Sequence, residues 1–496
     1  MSKTLKSEPP ATVSAGELPA WELADLPPAP AWDVLNIFKV IGPGAILLGT
    51  SIGGGEWLVG PTTVVKYGLT LLWVTTVAVI LQTLLNLELI RYTIYTGEPI
   101  MTGLMRTKPG PTFWGWAYSL LTWFQCGWPA LAGTAAGTLA AGFLGRLPTQ
   151  AQDSTFVLWL STAIFLSCAA VLVFGGKVER TLEYLNWFMV AWILIYLVVV
   201  VTLFVPASSL LSAVRGLLSF GSLPAAEGET PKIDWFLLAA FASSSGAGGA
   251  ANAAVTNWFR DKGFGMGAKV GYIPSLVGGR EVKLSHTGKV FRLTPENLKH
   301  WRHWWRFAKV DQYGVFLVGA LLGMTLPAVL AVQCLPHGKE LRGLAVAAEI
   351  AQGLSRISGH SLWIMTLLCG FWILYSSQLG NMDILVRTVT DNLWTGSRRV
   401  RQWRGGDIRR VYYTLLAMNV VWGLVALQVT QPIFLFQLGA NVAALTTAML
   451  SFHTLYVNRR FLPQPLRPPM WRQAALVLCG VFYSTFVFLG VRHLLS

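Results

Sequence analysis

Glu56 stands directly after three consecutive glycines, Gly53, Gly54 and Gly55, inside the apolar run GPGAILLGTSIGGGEWLVGP. A carboxylate among apolar neighbours is costly to bury, and in a membrane span it marks a functional site by default. Two roles fit it. With carbonyls freed by an interrupted helix it would surround a cation or carry a proton. Alternatively it caps the half-helix that follows, whose N-terminal dipole favours negative charge. A second glycine cluster lies in FLLAAFASSSGAGGAANAAVTNW, where Ser244 and Asn252 offer oxygens, against a competing role as helix caps. In SSQLGNMDILVR, Gln378 and Asn381 share a helix face by i, i+3 spacing. Gln437 and Asn441 repeat the pattern at i, i+4, with interhelical hydrogen bonding as the alternative. The candidate binding set is therefore Glu56, Gly53, Gly54, Ser244, Asn252, Gln378, Asn381 and Gln437, of which Glu56, Gln378 and Asn252 are the candidates to ligate a cation, metal included. Glu56 and Glu88 are the candidates for proton coupling, although Glu88 and Arg91 at i, i+3 also read as a structural pair. Asp383 lies four residues before Arg387, which reads as an intrahelical ion pair. His453 titrates near neutrality in water, but on an apolar helix it reads as a packing residue.

The elements that carry these residues are set by composition. Of 496 residues, 53% are hydrophobic and 12% charged, half the charged fraction of a soluble domain, about 25%. So little polar surface cannot wet a chain of this size. Apolar runs long enough to cross a bilayer, roughly 20 residues each, occur near 36–65, 69–92, 113–144, 154–174, 181–205, 233–258, 311–333, 361–390, 411–428, 431–457 and 472–492. Pro432 separates the ninth from the tenth. With the N-terminus placed in the cytoplasm, most of the 38 Lys and Arg fall on the cytoplasmic side, as the positive-inside rule requires. Topology, and not nucleic acid, then explains the net charge of +15. Eleven spans put the C-terminus outside, in a multi-pass protein of the cell membrane. The five cysteines form no CxxC pair, and no P-loop, HExxH or matched Ser/His/Asp set is present, so an enzyme is not expected. No permanently bound cofactor is expected either.

Spans one and six carry the glycine clusters. Glycine costs about 1 kcal/mol per residue inside a helix, so clusters of three or more predict unwinding. Unwound backbone at membrane depth must be buried or line a cavity. Paired interruptions five spans apart point to an inverted-repeat secondary transporter with its site at the midplane.

At the first break the sequence resembles the NRAMP family of divalent-metal transporters. That family begins the helix with Gly-Pro-Gly and unwinds it at Asp-Pro-Gly-Asn. Here Gly42, Pro43 and Gly44 match the opening, and Gly53, Gly54, Gly55 and Glu56 occupy the tetrad. YGLTLLW (Tyr67 to Trp73), Gln82, Glu88 and Thr96–Gly97 continue the likeness. Two departures stand out. Gly53 replaces the family's aspartate, and SSSGAGGAAN stands where the family has Met-Pro-His. The resemblance implies ten core helices in a five-plus-five inverted repeat plus one extra, and proton-coupled divalent-cation transport by alternating access. Without sulfur, an oxygen-only site suits Mn²⁺, Mg²⁺ or Ca²⁺. A same-fold transporter of an amino acid or other small organic solute, and a non-transporting membrane sensor, are the alternatives.

The expected organisation is a disordered cytoplasmic tail at 1–34, repeat one at 35–210, and an outer loop with the sixth helix at 211–258. A basic, aromatic cytoplasmic loop follows at 259–309, either lying on the membrane through Trp301, Trp304 and Trp305 or acting as a structural plug. The rest of repeat two covers 310–457, and a loop with the last helix covers 458–496. The segment 341–355 reads as a short interfacial helix.

Overall fold

The computed structural model describes residues 12–173, 178–224, 233–271, 285, 287–339, 341, 348–403, 407–428 and 432–495. It is all-α apart from a small sheet, and a helix stands at each apolar run. Among the described residues, seven helices are long and apolar enough to cross a membrane: α3 (Leu69–Thr96), α6 (Gln150–Val173), α7 (here Leu182–Phe204), α10 (Pro295–Cys334), α11 (His360–Gly396), α13 (Pro432–Phe461) and α14 (Met470–Leu495). The remaining runs are broken or short. The first is split into α1 (Pro43–Ser51) and α2 (55–67), the latter starting with a π-helical turn at Gly55–Val59. The sixth is split into α8 (Trp235–Ser244) and α9 (Gly249–Lys262). The ninth is α12 (Ile408–Ala426).

Two features differ from the sequence expectation within the spans. The third run is divided at Gly127–Pro129 into α4 (Pro111–Cys126) and α5 (Ala130–Leu144); Pro129 has no N–H to continue the ladder. The segment 259–309 is also less of a loop than its charge suggested. Its last part, Pro295–Lys309, is helical and runs into the seventh span through a π-helical stretch at Val310–Leu317. Trp301 and Trp304 are buried, and Trp305 lies beneath the guanidinium groups of Arg91 and Arg472, at 4.2 and 5.4 Å. These indoles pack on the protein. Residues 272–284 lie outside the described residues, as do 342–347 of the expected interfacial helix; the following Glu349–Ser358 is helical.

The N-terminal expectation needs correction. Residues 1–11 lie outside the described residues, but 12–34 are ordered. Strand β1 (Thr12–Val13) pairs antiparallel with β2 (Trp21–Leu23), which pairs parallel with β3 (Lys289–Val290). Trp21 is buried, and its indole packs on Tyr92, Tyr95 and Phe461. Its N–H donates to Glu98 Oε1 at 3.0 Å. Glu98 is the hub: it also accepts from Tyr92 (2.5 Å), from the Gly288 N–H (2.7 Å) and from Arg106. Arg106 donates in turn to the carbonyls of Ala15 and Pro19, each at 2.9 Å. Trp304 holds the Pro27 carbonyl at 2.9 Å. Proline-rich composition predicts disorder because such a segment cannot make its own core; here it borrows one from the basic ends of α3, α10 and α13.

Burial pushes the Glu98 carboxyl up, but the adjacent Arg106 prevails and holds it below its ordinary value. Its contribution to stability is therefore full above about pH 4.3, the unfolded value, and lost as pH falls through the lower folded value. Hydrogen exchange should find residues 12–34 protected between pH 7 and 5 and released only on stronger acidification. Trp21→Ala should release the same segment at neutral pH, since aromatic truncations in cores cost about 3–5 kcal/mol. Protection that survives Trp21→Ala would show that the segment is held elsewhere.

Candidate functional site

The two breaks touch. A side-chain carbon on Gly55 would collide with the carbonyl and Cβ of Ser244, so only glycine permits this approach. At the second break the backbone turns through positive φ at Gly246 (101°) and Gly248 (74°), a region that penalises any Cβ. The glycine clusters therefore supply both the close approach and the turn.

Each break leaves backbone groups without helical partners, and side chains from other helices take them up. Gln82 on α3 accepts from the Gly248 N–H (2.8 Å) and donates to the Ser245 carbonyl (2.9 Å); Tyr483 on α14 lies 2.6 Å from its amide. Gln125 on α4 accepts from the Ala250 N–H (2.8 Å) and donates to the Gly248 carbonyl (3.0 Å). Thr447 on α13 accepts from the Gly249 N–H at 2.6 Å. At the first break, Ser377 on α11 donates to the Thr50 and Ile52 carbonyls at 2.6 and 3.2 Å. The start of α1 is held from α10, where Asp311 Oδ1 accepts from the N–H groups of Gly42 (3.1 Å) and Gly44 (3.0 Å).

Glu56 is fully buried in the first turn of α2. Its Oε2 accepts from the Gly53 N–H at 2.9 Å, and the Gly246 backbone bears on the same carboxyl. Its Oε1 has no hydrogen-bond partner. The capping role is thus present, with half of the carboxylate left over.

A cavity of about 60 Å³ opens where the breaks meet. Its polar lining is Thr50, Ser51, Ser243, Ser244, Gln125, Ser377 and Asn381; Gly54, Gly55 and Gly246 bring backbone, and Leu131, Phe436 and Ala443 close it. Of the sequence candidates, Gly54, Ser244 and Asn381 line this space. Gly53 lies beside it, its N–H engaged by Glu56. Asn252 is fully buried one turn into α9, donating to Gln82 at 3.3 Å, while its Oδ1 has no partner. Gln378 is turned away: its Oε1 accepts from the Ala132 N–H at 3.1 Å, capping α5 after the kink. Gln437 is not in the cavity lining; its neighbour Asn441 donates to the Phe236 and Gln437 carbonyls at 3.2 and 2.8 Å. Glu88 is held by Arg91 at 2.7 Å and by Arg472 at 2.8 Å. His453 is fixed between Thr107 (2.8 Å) and Tyr118 (3.0 Å).

A buried ionic cluster lies further along α9 and α11, toward their C-terminal ends. Arg387 binds Asp383 at 2.9 Å and also Asp261, and Asp383 accepts from Trp258 and Tyr412, each at 3.0 Å. Arg260 joins Asp261 (2.7 Å) to Asp391 (3.0 Å). The intrahelical pair expected from spacing is thus one link in a network that ties α9 to α11 and α12. Among the described residues, no group of three or more His, Cys, Asp or Glu is placed to hold a metal. Gln82, Gln125, Thr447 and Asp311 went unassigned in the sequence because each serves a helix distant in the chain.

No family model matches the chain, and no curated protein matches it. Solved structures do. A mutant of the manganese transporter of Eremococcus coleocola is 14% identical with a TM-score of 0.62, the match covering 93% of this chain and 88% of that one. The same transporter in complex with an aromatic bis-isothiourea substituted compound gives 13% identity and a TM-score of 0.61, covering 94% and 90%. The likeness establishes the fold: this chain is an all-α, multi-pass membrane protein. Its architecture is that of these transporters, in agreement with the NRAMP-like fold read from the first span.

The cavity assignment separates two polar residues on one helix. Asn381→Leu should abolish or strongly weaken solute binding while leaving the thermal midpoint nearly unchanged. Gln378→Ala should do the reverse, lowering stability by about 1–3 kcal/mol through the exposed α5 N–H. Thermal unfolding and a binding titration on both variants check this, and the opposite pattern would reverse the assignment.

Proposed function

We propose that the chain is a secondary transporter that moves a divalent metal cation by alternating access, with the cavity between the two breaks as its binding site. One observation carries this reading: the carbonyl ends of two half-helices, together with hydroxyl and amide oxygens, face one small cavity. The C-terminal ends of α1 and α8, at Thr50–Ser51 and Ser243–Ser244, converge on the cavity, and helix C-termini carry partial negative charge. The N–H groups of Gly53, Gly248, Gly249 and Ala250 are already taken by Glu56, Gln82, Thr447 and Gln125. An organic carboxylate would need those N–H groups; a cation needs the oxygens. Glu56, buried next to Gly55 of the lining, is the carboxylate we assign to the site.

Size and ligand type narrow the cargo. A cavity of about 60 Å³ is small beside the 300–1,000 Å³ of pockets for drug-sized ligands and suits an ion with a little water. Its lining contains hydroxyl, amide and carbonyl oxygens but no sulfur, which favours Mn²⁺, Mg²⁺ or Ca²⁺ over softer metals. Glu56 is the candidate for proton coupling, since Glu88 is occupied by two arginines. We assign the basic face, with its ionic cluster, to the cytoplasm, and a five-plus-five inverted repeat to the core helices. In that frame the cluster is the closed inner gate and must part during the cycle.

Uptake into proteoliposomes of Mn²⁺, Mg²⁺ and a panel of amino acids tests the proposal. Divalent-cation uptake should appear and should fall at least tenfold in Glu56→Gln. Amino-acid uptake without any cation flux, or a Glu56→Gln protein that transports normally, would replace this reading with that of an organic-solute carrier.

A further inference from the structure

A second, larger cavity of about 660 Å³ lies away from the transport site, between the basic ends of α4 and α13. Its walls differ in kind. His453, Tyr118 and Trp114 make a fixed aromatic floor, with the His453 and Trp114 rings 4.5 Å apart. Phe452 and Tyr456 form the side toward the bilayer and are exposed. The third wall is the ordered N-terminal segment, through Gly16 and Glu17, held in place by a hydrogen bond of 3.0 Å from the Glu17 N–H to the Arg106 carbonyl.

Its charges are unevenly committed. The Arg106 guanidinium is neutralised by Glu98. Lys108 and Arg460 are exposed on the lining, and neither has an ion-pair partner among the described residues. The Arg460 guanidinium rests near the Tyr456 and Phe461 rings, at 5.9 and 5.7 Å, and donates to the Tyr456 hydroxyl at 3.2 Å. Glu17 is the one opposing charge on the lining. Two uncommitted cations over an aromatic trough that opens onto lipid-facing side chains match one class of ligand. Basic pockets between spans on the cytoplasmic side bind anionic lipid headgroups.

We propose that this cavity binds the phosphate headgroup of an anionic phospholipid, with Lys108 and Arg460 on the phosphate and the acyl chains along Phe452 and Tyr456. Because Gly16 and Glu17 form one wall, the bound lipid also fastens the N-terminal segment to α4 and α13. This site is independent of the transported substrate.

The test uses the full-length protein in detergent micelles, titrated with phosphatidylglycerol, phosphatidylcholine or inorganic phosphate. Thermal unfolding and native mass spectrometry are the readouts. Phosphatidylglycerol should be retained and should raise the unfolding midpoint, while phosphatidylcholine and phosphate should not. Lys108→Gln and Arg460→Gln should each weaken phosphatidylglycerol binding about fivefold, the effect of one cation near a lipid surface. Glu17→Gln should strengthen it, and Arg459→Gln, at an exposed position outside the lining, should leave it unchanged. Equal shifts from phosphatidylcholine, or the full shift from inorganic phosphate alone, would overturn the assignment. So would variants at 108 and 460 that bind as the parent does. Should the variants at 108 or 460 fail to fold, tighter binding in Glu17→Gln beside unchanged binding in Arg459→Gln still decides it, and unchanged binding in both would overturn it.

Discussion

A backbone that leaves the helix inside a bilayer must find its hydrogen bonds within the protein, because lipid supplies none. The architecture around the site follows from this constraint. Two helices stop at mid-depth, and each stop exposes N–H and C=O groups whose desolvation is costly when unpaired. Helices from all parts of the chain answer them: Gln82 from α3, Gln125 from α4, Ser377 from α11 and Thr447 from α13. The unwound segment is thereby pinned on several sides, as a binding site requires.

How those groups are satisfied decides the electrostatics of the cavity. The braces mostly consume donors at the start of α9, and Glu56 consumes the donor of Gly53. What remains facing the cavity is the carbonyl end of two half-helices together with hydroxyl and amide side chains. Polarity at the site is thus a remainder, set by which backbone groups found partners. Gly53 itself carries no carboxylate, and Glu56 lies one turn further along, behind the glycines.

The basic face is built on a different principle. There, pairs of full charges are buried together, at Arg387–Asp383 and Arg260–Asp391, and at Glu98 beneath the N-terminal segment. Buried pairs of this kind are costly to separate unless both partners reach water. The N-terminal segment packs over α3, α10 and α13 through Trp21, Glu98 and Trp304.

Much of this was legible in the sequence because it depended on local composition or spacing. Apolar runs located the helices, glycine clusters located both breaks, and an i, i+4 spacing located the Asp383–Arg387 pair. Glu56 was legible as a carboxylate with no reason to be where it is. Spacing could not say which way a polar side chain faces. Gln378 and Asn381 occupy one helix face, yet the first caps α5 and only the second reaches the cavity. Residues 12–34 looked disordered because their composition cannot form a core, and the core they use lies from 77 to 277 residues away. The sequence by itself determined that this chain lives in a membrane and where two of its helices must break, since both follow from solvation and backbone conformation. Only the tertiary structure decided which oxygens and which N–H groups remain free where the breaks meet, because that depends on partners brought from distant helices.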